Sequence, residues 1–132
     1  MVQLLSPARR AGTLLTKPSG QSRQRRFSRH VFSNPLLVTR TLPPNEIQKV
    51  PGAAMEISEG GLSAIITADL KVGESVEASF EMQPGQRMTV HGAVRNKAQF
   101  RYGLEFLDLR EDLRMRIKKA CESLPLYTGG WY

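Results

Sequence analysis

Beyond Val50 the chain alternates apolar and polar residues at every second position in one short run after another, and then changes period. Leu62, Ala64, Ile66 and Ala68 make one such run; Val76, Ala78, Phe80 and Met82 make another. Successive strand side chains point to opposite faces, so each set predicts a strand with one face in a core. Met88, Val90 and Val94 predict a third strand. Phe100, Tyr102, Leu104 and Phe106 predict a fourth, with Arg101, Gly103 and Glu105 facing outward. Residues 71–74, Pro84-Gly85 and Asn96-Lys97 fall in the gaps, where turn chemistry belongs. Upstream, residues 31–40 read as extended, and Pro35, which has no ladder donor, implies an edge or a bulge there. Residues 42–48, with Pro43-Pro44, read as a connection and residues 50–57 as a further strand. Six short strands in series favour antiparallel hairpins closed into a small barrel over a flat sheet with open edges.

The period then lengthens. Leu109, Leu113, Ile117, Ala120, Cys121 and Leu124 recur at helical spacing, while Arg110, Arg114 and Lys118 line an outer face. Asp108, with Glu111 three residues later, predicts an N-cap, and Pro125 ends the pattern, giving a helix of about four turns. Its apolar stripe is suited to covering one mouth or flank of the barrel. The predicted fold is therefore mainly β, a six-stranded antiparallel split barrel with one C-terminal α-helix.

At 132 residues there is room for one domain of ordinary size, and 40% hydrophobic with 23% charged residues suits a folded one. The placement of the +7 net charge says more than its size. Arg9, Arg10, Lys17, Arg23, Arg25, Arg26 and Arg29 fall within the first 30 residues, which hold no acid, and the remainder is balanced. A localised cation cluster suggests an anionic partner: phosphate, nucleic acid or acidic lipid. Residues 1–22, with Pro7, Gly12, Pro18 and Gly20 and no sustained periodicity, read as a flexible basic extension, although an acid-free Arg- and Ser-rich segment also fits an organellar transit peptide. The single Cys121 excludes an internal disulfide framework, and Cys and His show no metal-ligand spacing, so the expectation is a reducing, cytoplasmic setting without a metal. No apolar run approaches the ~18 residues of a membrane span. No catalytic constellation is visible, and the chain reads as a binding protein. His30 and His91 are isolated, and Cys121 reads as core.

Two short motifs remain. Arg25-Arg26-Phe27-Ser28-Arg29 is an RxxxR segment between the extension and the first strand. A guanidinium can donate two hydrogen bonds to guanine O6 and N7, stack on a base, or pair with a phosphate. The second is Glu56-Ile57-Ser58-Glu59-Gly60-Gly61. A carboxylate there can accept from guanine N1 and N2, Ser58 offers a hydroxyl, and Gly61, with Gly60 beside it, permits close backbone approach.

An RxxxR segment before the first strand, an x-S-x-x-G motif after the second, a meander and a C-terminal helix together resemble the PilZ domain family over roughly residues 23–124, leaving residues 125–132 as a tail. The stretches Gly60-Gly61-Leu62-Ser63, Leu70-Lys71-Val72-Gly73-Glu74 and Tyr102-Gly103-Leu104-Glu105-Phe106 are also similar to that family's spacing. The resemblance implies a bacterial receptor for the second messenger cyclic di-GMP, acting in motility or biofilm regulation. Arg25 and Arg29 would clamp guanines and phosphates, with Arg26 as a further contact. Glu56, Ser58 and Gly61, with Gly60, would form the other side of the site. Glu56 departs from the family's usual Asp or Asn by one methylene. The implied output is a conformational change read by a downstream protein partner, with the chain a monomer or dimer. Two other readings use the same residues: an adaptor that binds no nucleotide and acts through protein contacts, and a basic nucleic-acid-binding barrel that stacks bases on Phe27, Phe100 and Tyr102.

Overall fold

Why six strands close on themselves is visible in the register of the computed structural model, which describes residues 27–127. Strands β1 (His30–Leu42), β2 (Glu46–Ile57), β3 (Gly61–Ile66), β4 (Ser75–Gln83), β5 (Gln86–Ala98) and β6 (Arg101–Leu107) are followed by helix α1 (Glu111–Cys121). All pairings are antiparallel and the sheet is a closed barrel in the order β1-β2-β3-β6-β5-β4. The ring closes where Leu36 to Thr39 of β1 meet Phe80 to Glu77 of β4. The expected barrel and helix are both present.

The two-residue period puts its apolar sets inside. Leu62, Ala64 and Ile66 of β3 and Val76, Ala78, Phe80 and Met82 of β4 are buried in one cluster with Met88, Val90, Val94, Tyr102 and Leu104. Phe32 and Phe80 meet edge to face at 5.8 Å, a geometry that aligns ring edge with ring face. Inside the core, the Tyr102 hydroxyl donates to the Ala68 carbonyl at 2.7 Å and accepts from the Leu70 amide at 3.0 Å, both in the segment that follows β3. Tyr102→Phe is expected to strand both backbone groups and to cost about 1–3 kcal/mol, read as a lower urea midpoint with an unchanged slope.

Three boundaries differ from the sequence reading, while Pro35 falls beside the kind of bulge expected of it. The Pro43-Pro44 segment, with a cis bond between the prolines, is a tight turn; β1 and β2 run up to it from Leu42 and Glu46, so the expected connection over 42–48 is mostly strand. Pro35 faces Ala53 next to a β1 bulge and just before the first β4-paired residue, where a missing donor costs least. Asn96 and Lys97 lie inside β5, and the reversal comes at Gln99, which takes a left-handed φ of 57°. Phe100 therefore stands at a turn tip, 55% exposed, outside the core face expected for it. Asp108 is not the N-cap. Its φ of 51° ends β6 in a left-handed conformation, whereas an N-cap needs extended backbone, and that role falls to Arg110, without a side-chain cap bond. The helix is correspondingly one turn shorter than expected. Ile117, Ala120 and Cys121 bury its inner face, and burial, with Glu59 nearby, raises the Cys121 thiol to about 11.

After the helix, the chain returns to the start of β1. The Val31 amide donates to the Pro125 carbonyl at 2.8 Å and the Tyr127 amide to the Arg29 carbonyl at 2.9 Å. His30 faces Leu126 as an isolated bridge, and the His30 ring lies 3.2 Å from the Leu124 carbonyl.

Candidate functional site

Glu56 and Ser58 stand where β2 hands over to β3, and Arg29 immediately precedes β1, whose first residue pairs with Ile57. Antiparallel pairing thus brings a residue near the N-terminal arginine cluster beside a turn 27 positions later. The Arg29 Nη1 lies 2.9 Å from the Glu56 Oε1. The other Glu56 oxygen lies 3.5 Å from the Arg101 guanidinium on β6. Glu56 is only 1% exposed. A buried carboxylate is costly unless paired, so this one is a fixed anchor for two guanidiniums. The Arg29 guanidinium also sits 5.0 Å from the centre of the Tyr127 ring, within cation–π range.

The turn is held from within. The Ser58 amide donates to the Gly61 carbonyl at 2.8 Å, and the Ser58 hydroxyl accepts from the Gly60 amide at 3.1 Å. Phe27 lies over Gly60, within 3.0 Å of where a Cβ would stand. At Gly61 a Cβ would collide with the Leu104 carbonyl oxygen, because β3 begins pressed against β6. Gly61→Ala is expected to force that strand pair apart at a cost of about 1–3 kcal/mol, seen as a lowered Tm.

These groups line one cleft of ≈ 430 Å³, in the ~300–1,000 Å³ range of small-molecule sites. Arg29, Glu56, Ser58, Gly60 and Gly61, all singled out in the sequence, share it. Arg25 and Arg26 lie outside the described residues. The remaining lining was not anticipated: Arg95, Asn96, Gly103 and Glu105 come from β5 and β6, where Asn96 read as a turn residue, Gly103 and Glu105 as outward-facing, and Arg95 was not singled out. Ser63 also lines the cleft; it is 6% exposed, and its Oγ has no hydrogen-bond partner among the described residues. A buried hydroxyl of that kind calls for a polar partner. Period-two reasoning passed over it because Leu62 and Ala64 on either side are buried too. No group of His, Cys, Asp and Glu among the described residues is arranged to hold a metal.

The cleft sets two arginines and two glutamates beside hydrogen-bonding groups and glycines, on a lining that also holds Phe27, Ile57, Leu62 and Leu104. The family model for the PilZ domain matches residues 23–123. The chain belongs to the PilZ domain family. Among solved structures, this PilZ chain is similar to the PilZ domain with c-di-GMP of YcgR from Escherichia coli, at 14% identity and a TM-score of 0.61, covering 77% of this chain and 92% of that one. It is similar to the Bacillus subtilis inhibitor of motility MotI/DgrA at 14% identity and a TM-score of 0.61, covering 76% of this chain and 50% of that one. It is also similar to YcgR in complex with c-di-GMP from Escherichia coli, at 18% identity and a TM-score of 0.58, covering 76% and 45%. This PilZ chain thus spans about half the length of the latter two proteins. Among curated proteins none matches. No helix among the described residues is long and apolar enough to cross a membrane.

Proposed function

We propose that this PilZ domain is a cytoplasmic cyclic di-GMP receptor that works by binding alone and passes the signal to a protein partner by conformational change. The observation that carries this reading is that Arg29 and the Glu56–Ser58–Gly61 turn border one cleft of suitable size. Arg29 donates to a guanine or phosphate, and Arg25, four residues before it in the RxxxR segment that follows the basic extension over residues 1–22, contacts the same ligand. The Ser58 turn supplies backbone and hydroxyl groups, and Gly61 lets the ligand approach the chain closely. Glu56, anchored between Arg29 and Arg101, sets the direction of the Arg29 fork.

The tail supplies the route outward. Arg29 touches Tyr127 through its guanidinium and through its carbonyl, so a ligand that redirects the side chain disturbs the docking of residues 125–127. Such a change, rather than chemistry on the ligand, is what a downstream protein reads.

Titration of the full chain with cyclic di-GMP tests the reading. Saturating binding is expected, with Tm raised by roughly 10 °C at a ligand concentration about a hundredfold above Kd. No heat and no shift in Tm would reject it in favour of a nucleotide-independent adaptor. Base stacking along the barrel finds little support: Tyr102 is fully buried with its hydroxyl bonded inside, Phe100 is exposed at the β5–β6 turn, and Phe27 lies in the cleft over Gly60.

A further inference from the structure

The β5 part of the cleft lining is set by an irregularity. The β5–β6 register shifts between Val94 and Asn96, which leaves Arg95 at a β-bulge. Bulges re-aim a side chain and recur beside functional sites. Opposite, Gly103 has no side chain, and the Asn96 amide fills the space a Cβ there would occupy. The bulge with this glycine places Arg95, from β5, in the lining of the same cleft as Arg29.

There the Arg95 Nε meets the Glu105 Oε1 at 2.5 Å, and both side chains are half exposed. An ion pair so open to water contributes little to the fold, so stability does not explain it. A guanidinium carries five donors, and engagement of Nε leaves its other edges for a ligand. A phosphate seated on Arg95 would lie against the Glu105 carboxylate and be repelled. A guanine suits both groups: O6 and N7 accept from arginine, while N1–H and N2–H₂ donate to a carboxylate.

We infer that the Arg95–Glu105 pair on the β5 bulge is a base-reading contact that recognises a guanine of the bound dinucleotide, in the same cleft as Arg29. This inference rests on the proposed cyclic di-GMP binding and extends it to residues outside both sequence motifs. Lysine, a point charge without the planar fork, cannot replace arginine in such a contact.

Calorimetric titration with cyclic di-GMP of the parent chain, Arg29→Ala, Arg95→Ala and Arg95→Lys tests it. The expected result is parent binding, a loss of affinity of about tenfold or more in Arg95→Ala, and little recovery in Arg95→Lys. Parent-like affinity in Arg95→Ala, alongside a loss in Arg29→Ala, overturns the Arg95 assignment and leaves the receptor reading standing. Full recovery in Arg95→Lys overturns the base-reading role in favour of a phosphate contact. A parent chain that takes up no cyclic di-GMP overturns this inference together with the receptor reading.

Discussion

Arg29→Ala is expected to weaken cyclic di-GMP binding by at least ~tenfold, since a charge-assisted hydrogen bond is worth about 1.5–3 kcal/mol. The truncation also removes one of the two cations that face Glu56, so lost affinity must be separated from lost stability. Arg29→Lys makes the separation. It retains a cation near the carboxylate but not a planar pair of donors, and is expected to melt near the parent temperature while still binding weakly. Calorimetry that gives all three chains one affinity would exclude Arg29 from the site.

The largest effect on stability is expected at Glu56. Glu56→Ala leaves the Arg29 and Arg101 guanidiniums without the carboxylate between them and opens a void at a fully buried position. Removing one partner of a buried ion pair costs ~3–5 kcal/mol; because both arginines retain some exposure, we expect about 3 kcal/mol. For a domain of about 100 residues that corresponds to a fall in Tm of more than ~10 °C. Glu56→Asp keeps the charge and is expected to recover much of the loss. It also restores the residue type usual in the family, so its affinity for cyclic di-GMP should equal or exceed that of the parent. A thermal melt of Glu56→Ala indistinguishable from the parent would show that the carboxylate does not anchor the arginines.

The barrel was legible because its cause is local. Strand alternation in Leu62 to Ile66 and Val76 to Met82 follows from one buried face, and the core contains those residues. The errors fall where backbone conformation rather than side-chain pattern decides. Gln99 and Asp108 take positive φ without being glycine, which moves the β5–β6 turn beyond Asn96-Lys97 and delays the helix. Part of the cleft lining was legible as motifs in consecutive sequence. The rest was not: Arg95 and Glu105 become neighbours only through β5–β6 pairing and a bulge, and Ser63 becomes conspicuous only once its burial is known. Glu56 was read as a group that would accept from guanine directly. Its orientation toward Arg29 and Arg101 depends on Arg101 entering from β6, 45 residues away, which no local pattern announces.

The clasp between the Arg29–Val31 backbone and residues 125–127 has a thermodynamic corollary. If occupation of the cleft loosens the clasp by some factor, then a protein that seizes the loosened end must tighten nucleotide binding by that same factor, because linkage between two equilibria runs equally in both directions. Affinity measured on the isolated domain would then be a lower limit to the affinity that the messenger meets in the assembled complex.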